Sequence, residues 1–264
     1  MPRPRVYKTE AIVLRQRKLG EADKIVTLYT AHQGKVDAVA KGVRRTKSRL
    51  AGHLEPLTFG SYLLAEGRDL DIVTQAETVE AFPGLREDLE RLSRGLYCAE
   101  LVERLTPERS EGNPVFRILG ETLHFLDAAP EYEMAPRRFE LRLLAELGYR
   151  PSLGDCAVCG KPLEPEDNFW SVDAGGAICP ACADDSLRLA PLSLNALKLL
   201  RLMQRGTFDD VARVRVSAAL VAEIETCLGD YVRYVLEREV RSARFVETLR
   251  QTPPLKDRAV PQIP

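Results

Sequence analysis

The chain has 264 residues, 45% of them hydrophobic and 29% charged, a composition that excludes wholesale disorder and provides for a sizeable core. The formal net charge of −1 hides an asymmetry: residues 1–50 carry +9 and the remainder carries −10, which favours a polyanionic partner for the basic part. With no apolar run of signal-peptide or membrane-spanning length, we expect a cytoplasmic, nucleoid-associated protein without membrane partners, whose thiols stay reduced.

The first 80 residues predict a small β-barrel. Short runs rich in Val, Ile, Leu and Thr alternate with turns that contain Gly and Asp, which is typical of strands. The predicted strands span 11–17, 24–30, 35–42, 60–67 and 70–77. Five short strands in this length favour an oligonucleotide/oligosaccharide-binding (OB) barrel, with a five-stranded SH3-like barrel as the alternative.

Side-chain alternation places cations on one face of this barrel. Lys35, Asp37 and Lys41 share a face of the third strand, and Val13, Arg15 and Arg17 share a face of the first. The candidate cations on the strands are Arg15, Arg17, Lys18, Lys35 and Lys41.

The stretch KGVRRTKSRLAGH, residues 41–53, follows the third strand. Nine of its positions hold five cations and no acid: Lys41, Arg44, Arg45, Lys47 and Arg49. Loops of OB barrels help to form nucleic-acid sites, and Arg can grip phosphate oxygens bidentately, so we predict a phosphate-binding loop; a solvated surface loop is the alternative. Aromatic residues nearby are limited to Tyr7, Tyr29 and Tyr62, which favours sequence-tolerant, salt-dependent binding.

From Pro83 the apolar period changes to steps of three and four, which predicts a helical body. The predicted helices span 85–105, 114–129, 136–148, 193–204, 216–237 and a last piece around 240–250. Ser193 is the expected N-cap of the fourth helix, and Gly148 the expected stop of the third.

Two CxxC pairs interrupt the helical body, with nineteen residues between them. This spacing predicts one tetrahedral zinc site with the ligands Cys156, Cys159, Cys179 and Cys182. Four thiolates leave no open position, so the expected role of the Zn²⁺ is structural. Thioredoxin chemistry, disulfides and an iron–sulfur cluster fit less well, because there are two pairs without a βαβ unit, the compartment is reducing, and the spacing differs.

The segment between the pairs predicts the two strands of a zinc ribbon, with a turn at residues 174–176. Residues 155–185 hold seven acids and only Lys161 as a base, so the ribbon is a poor phosphate binder. Trp170 is therefore interpreted as a packing residue.

The predicted architecture is α+β: an OB barrel joined to a helical-bundle body with an embedded four-cysteine zinc module. The predicted boundaries are 1–80 for the barrel, 81–150 and 189–252 for the two helical parts, 151–188 for the zinc module and 253–264 for a loose, Pro-rich tail. No P-loop, dinucleotide-binding, GxSxG or HExxH motif is present, so we expect no enzymatic activity.

Several stretches resemble the bacterial RecO family of recombination mediators. They occur in the family's order: AIVL, LGEADKIVTLYT, GKVDAVAKGVRRTKSRLAGHLEPL, LDIVTQAE, LAELGYRPSLGDCAVCG and CPAC. The resemblance extends to about residue 250, and its most specific parts are KGVRRTKSR and GYRPSLGDCAVCG. Asp37 departs from a purely basic strand face.

The resemblance implies binding to single- and double-stranded DNA and annealing of complementary strands. It also implies association with RecR and single-strand-binding protein, so that RecA loads onto coated DNA. By position, the five cations of residues 41–49 would contact DNA and the four paired cysteines would hold zinc. Two alternatives from other classes remain: an RNA-binding, translation-linked barrel protein, and a non-catalytic scaffold whose basic loop binds an acidic protein.

Overall fold

The computed structural model describes residues 5–110 and 113–251, and for residues 113 and 239–251 it describes the backbone alone. The predicted tail, 253–264, lies outside the described residues. The described residues form an N-terminal barrel, a helical body and a small sheet beside four clustered cysteines.

Five strands close the barrel in the order β1-β2-β3-β5-β4: β1 (Val6–Leu19), β2 (Asp23–Thr30), β3 (Gly34–Ala40), β4 (Phe59–Ala65) and β5 (Asp71–Glu80). Only β3 and β5 pair in parallel; the other neighbours are antiparallel. This strand order is that of an OB-fold barrel, so the SH3-like alternative is wrong. Val26, Val36 and Tyr62 are among the side chains that fill its interior.

A β-bulge in β1 changes which of its side chains face outward. The register with β2 shifts between Val13 and Arg15, because a bulge sets one extra residue against the partner strand. Val13 is fully buried in the barrel interior, whereas Arg15 is exposed. The prediction that Val13 shares a face with Arg15 and Arg17 is therefore wrong, although the two arginines do lie outside.

The helical body contains seven α-helices within the described residues: α1 (Pro83–Glu87), α2 (Leu89–Leu105), α3 (Asn113–Ala128), α4 (Ala135–Glu146), α5 (Leu194–Arg205), α6 (Phe208–Ala212) and α7 (Ala218–Gln251). As predicted, the Ser193 hydroxyl accepts a hydrogen bond from the Ala196 N–H at the start of α5, and Gly148 follows α4 with a positive φ of 83°. The two helices predicted over 216–250 are one continuous helix.

The helix predicted over 85–105 is divided at Asp88. Its carboxylate accepts hydrogen bonds from the backbone N–H groups of Glu90 and Arg91, at 2.8 and 3.2 Å, which makes Asp88 an N-cap. The helix periodicity from Leu85 to Val102 predicts Leu89 on the apolar face of a single helix, but after the break Leu89 is 80% exposed. Sequence periodicity also missed the short α6, which begins with a capping box between Thr207 and Asp210.

The sheet of the cysteine module has three strands in the order β7-β6-β8: β6 (Asn168–Ser171), β7 (Gly176–Ile178) and β8 (Leu189–Leu192). The β6–β7 hairpin is the predicted ribbon, and β8 is a strand that the sequence analysis missed. Trp170 is 2% exposed, and its ring packs edge-on against Tyr231 of α7 with centroids 5.7 Å apart. Its interpretation as a packing residue is confirmed, and the module is anchored to the helical body.

Contacts between β1, β3 and α2 fix the barrel to the body. Ile12 and Leu14 of β1 belong to the same apolar core as the helices. The Lys35 ammonium donates hydrogen bonds to the carbonyl oxygens of Glu103 and Thr106, at 2.6 and 2.7 Å. A cation that binds the last carbonyls of a helix also complements its dipole, so Lys35 joins β3 to the C-terminus of α2.

A buried carboxyl group in α4 predicts a pH-dependent stability. Glu140 is fully buried, with the Tyr97 hydroxyl and the Arg137 guanidinium as its partners. Burial raises the pKa of Glu140 to about 7, against the opposing effects of Arg137 and Tyr97. Because the folded state then binds the proton more tightly than the unfolded state, this contribution to stability is present below about pH 4.5 and is lost as the pH rises to about 7.

We expect Glu140→Gln to remove this dependence. The difference in unfolding free energy between wild type and variant should change by about 3 kcal/mol from pH 4.5 to 7.5, in the direction that disfavours the wild type at high pH. Urea unfolding at four pH values measures it. The control is Glu146→Gln, at an exposed position of the same helix, whose unfolding free energy should depend on pH as that of the wild type does. The same pH dependence in Glu140→Gln would contradict the prediction.

Candidate nucleic-acid interface and metal centre

The basic loop after β3, residues 41–49, is held against the turn between β1 and β2. The Gly42 N–H donates a hydrogen bond to Oδ1 of Asp23 at 2.7 Å, and the Arg44 N–H donates to the Ala22 carbonyl at 2.9 Å. Gly42 has a positive φ of 65°, a conformation that glycine adopts without strain. These bonds give the loop a defined start.

Turns within the loop set the direction of its side chains. The Arg45 N–H donates to the Gly42 carbonyl at 3.1 Å, and the Ser48 N–H donates to the Arg45 carbonyl at 2.9 Å. Val43 is 3% exposed and packs in the barrel core. With one apolar side chain anchored, the charged side chains of the loop are left on the outside.

The five loop cations are exposed and have no acidic partner. Each side chain is exposed, and within the described part of the chain none of the five forms an ion pair. The guanidinium of Arg44 donates a hydrogen bond from Nη1 to the Gly20 carbonyl at 3.0 Å, which fixes its position without neutralising its charge. The members of this set, called the loop cations below, are Lys41, Arg44, Arg45, Lys47 and Arg49.

Most of the candidate cations on the strands, unlike the loop cations, already have partners within the protein. Arg15 pairs with Glu103 at 3.3 Å, and Arg17 pairs with Asp37 at 2.6 Å. Lys35 donates to two helix carbonyls, as described above. Lys18, near the end of β1, is exposed and forms no ion pair among the described residues, so it is unpaired like the loop cations.

Two of the three candidate tyrosines have buried rings that bases cannot reach. Tyr29 and Tyr62 are 1% and 0% exposed, and the Tyr7 hydroxyl donates to the buried carboxylate of Asp71 at 2.5 Å. The expectation that Tyr29 and Tyr62 are available for stacking is therefore wrong. Without these two rings, a nucleic-acid interface at this loop would depend on phosphate contacts.

The four paired cysteines are brought together as predicted. Their Sγ atoms all lie within 4.8 Å of one another, and Cys159 Sγ is 3.9 Å from Cys179 Sγ. Each CxxC pair forms a tight turn: the Gly160 N–H donates to the Cys156 carbonyl at 2.9 Å, and the Cys182 N–H donates to the Cys179 carbonyl at 3.0 Å. A positive φ of 72° at Gly160 completes the first turn.

The donor set fits a tetrahedral metal ion. Zinc–thiolate bonds of about 2.3 Å separate the four sulfurs by about 3.8 Å, close to the separation of Cys159 and Cys179. Burial raises the pKa of Cys156, but hydrogen bonds from backbone N–H groups outweigh it and lower the pKa to about 6. The neighbouring thiols raise the pKa of Cys182, so a cation is needed for all four to be thiolates together.

Sequence reasoning missed the role of the β1–β2 turn, residues 20–23. Its backbone and the Asp23 carboxylate accept the hydrogen bonds that hold the basic loop. The sequence LGEAD marks a turn, but no signal in it identifies the segment it contacts.

Within residues 5–110 and 113–251, no helix is both long enough and apolar enough to cross a bilayer.

Comparisons with known proteins cover both parts of the chain. The family model described as Recombination protein O N terminal matches residues 4–82, and the one described as Recombination protein O C terminal matches residues 86–244. The DNA repair protein RecO of Roseiflexus sp. strain RS-1 is 45% identical over 249 residues, which cover 94% of this chain and 88% of that protein. The RecO proteins of Dehalococcoides mccartyi strain CBDB1 and Pelotomaculum thermopropionicum are 36% and 39% identical, covering 95% and 94% of this chain and 98% and 96% of their own.

Proposed function

Because the chain belongs to the RecO family of DNA repair proteins, we propose that it is a DNA-binding recombination mediator that anneals complementary strands. It binds single- and double-stranded DNA through the loop cations and Lys18. With RecR, it assists the loading of RecA onto DNA coated by single-strand-binding protein. The proposal includes a cytoplasmic, nucleoid-associated location and a binding role without catalysis.

The state of the loop cations is the observation that carries the DNA-binding proposal. Five exposed cations on an ordered loop, with no acidic partner among the described residues, leave their full charge to an external anion. Phosphate oxygens accept hydrogen bonds from Arg and Lys side chains, and the release of counterions from DNA supplies much of the binding free energy. The paired Arg15 and Arg17 would first have to leave Glu103 and Asp37, so we assign them a secondary role.

The metal of the cysteine cluster is proposed to be one structural Zn²⁺ per chain. Four clustered thiols, with no fifth donor grouped with them in the part of the chain that the structure describes, match a closed zinc site. The acids around it make a direct DNA contact unfavourable. Its proposed role is therefore to hold the small sheet of β6, β7 and β8 against the helical body.

Strand annealing tests the function as a whole. Two complementary oligonucleotides, one with a fluorophore and one with a quencher, are mixed with the protein in the presence and absence of single-strand-binding protein. We expect annealing to be accelerated on bare and on coated strands, and to weaken with salt. No acceleration on either substrate would overturn the annealing proposal, and tighter binding to RNA of the same sequence would favour the RNA-binding alternative.

A further inference from the structure

The turn between β1 and β2 carries an acid where a phosphate-binding surface should avoid one. Asp23 lies at the start of β2, and its Oδ1 accepts the hydrogen bond from the Gly42 N–H at 2.7 Å. By charge alone, a carboxylate this close to the loop cations repels DNA and weakens binding. Its contact with the loop backbone points to a compensating role.

We propose that Asp23 is a positioning residue that holds the loop cations in their DNA-binding arrangement. This inference rests on the DNA-binding role of the loop proposed above and assigns the residue that orders it. Asp23 binds the loop at Gly42, two residues before Arg44, whose N–H donates to the Ala22 carbonyl. These two bonds, with the Arg44 contact to the Gly20 carbonyl, are the polar contacts that join the loop to the turn.

Ordering the loop has a direct energetic consequence for binding. A loop that is already fixed does not lose its conformational freedom when it binds, so more of the interaction free energy appears as affinity. Val43 is a buried anchor of the loop, and Arg44 makes two contacts to the turn, but the backbone of Gly42 is held by the Asp23 carboxylate. Loss of that bond releases the backbone that orients Lys41 and Arg44.

The test uses the opposite changes in DNA affinity that the two effects of the Asp23 carboxylate predict when it is removed. Electrostatics predicts that removal of an acid tightens DNA binding, whereas positioning predicts that loss of the Asp23 hydrogen bond weakens it. The neighbouring Glu21 provides a matched control, because it is an exposed carboxylate of the same turn that makes no hydrogen bond to the loop among the described contacts. Asp23→Asn removes the charge but keeps an oxygen that can accept from Gly42.

We expect Asp23→Ala to weaken single-stranded DNA binding about fivefold at 0.1 M salt, the equivalent of about one phosphate contact. Glu21→Ala and Asp23→Asn should bind as tightly as wild type or more tightly. Fluorescence anisotropy with a labelled oligonucleotide measures the affinities, and thermal unfolding confirms that each variant is folded. In the absence of DNA, trypsin should cleave after Arg44, Arg45 or Lys47 faster in Asp23→Ala than in Glu21→Ala.

Two results would overturn the proposal: an Asp23→Ala variant that binds as tightly as Glu21→Ala, or one whose loop is cleaved no faster. Failure of this inference differs from failure of the proposed DNA site. If Asp23→Ala has no effect but charge reversal of Arg44 and Arg45 abolishes binding, the loop binds DNA without help from Asp23. If neither change affects binding, the DNA site itself lies elsewhere.

Discussion

Replacement of both Arg44 and Arg45 by glutamate should weaken binding of single-stranded DNA by at least about 25-fold at 0.1 M salt. Each phosphate contact on a single strand contributes about −0.7 to the slope of log K against log[salt], which at 0.1 M salt is about a fivefold factor per contact. The magnitude of the slope should therefore fall by about 1.4. The two side chains are exposed and make no ion pair among the described residues, so the fold should tolerate the change.

Arg68→Glu is the matched control for this experiment. Arg68 is an exposed arginine of the same barrel, in the turn between β4 and β5. That turn lies next to the start of β1, where Glu66 N–H donates to the Arg5 carbonyl, and the basic loop lies at the other end of β1. Reversal of this charge should leave the salt slope unchanged. An unchanged slope in the Arg44/Arg45 variant, measured by titrations from 50 to 300 mM salt, would instead favour the scaffold alternative.

Replacement of Cys159 by serine should have the largest effect on stability. Loss of one of the four proposed ligands should release the proposed zinc ion, about one per chain, because metal binding is coupled to folding of such sites. We expect the unfolding free energy to fall by at least about 3 kcal/mol and the melting temperature by about 6–12 °C. Metal content by atomic emission and thermal unfolding by circular dichroism are the measurements.

A cysteine outside the cluster provides the control, because its replacement shows what the loss of a thiol costs when no metal is involved. Cys227 is 2% exposed in α7 and is not one of the four clustered cysteines, so Cys227→Ala should keep its zinc and lose about 1 kcal/mol at most. Below its melting temperature, Cys159→Ser should bind DNA with nearly wild-type affinity. A folded Cys159→Ser variant whose DNA affinity collapses would show that the metal module takes part in binding.

Local patterns predicted the elements that depend on neighbouring residues. Short runs rich in Val, Ile, Leu and Thr between turn residues predicted the five barrel strands, and steps of three and four predicted the longer helices, because each pattern is set within a single element. Ser193 and Gly148 were identified as cap and stop for the same reason. The metal cluster was predictable as well, since each CxxC turn brings two sulfurs together locally and only the two turns have to meet.

The errors occurred where a distant contact overrides a local pattern. The bulge between Val13 and Arg15 breaks the alternation along β1, so Val13 lies in the barrel interior whereas Arg15, two residues later, is exposed. Asp88 lies within an apolar period that fits one helix, yet its hydrogen bonds begin a new one. Strand β8 has too few residues for a pattern of its own and is defined by its pairing with β6.

The sequence by itself determined the α+β organisation, the basic loop and the four clustered cysteines, because composition, period and spacing are local properties of the chain. Only the tertiary structure decided which cations remain free. Lys35 is 68 residues from Glu103 in sequence, and Arg17 is 20 residues from Asp37, so no local pattern reports these contacts. Charge is fixed by the sequence, but its availability to a partner depends on which groups the fold brings within a few ångströms.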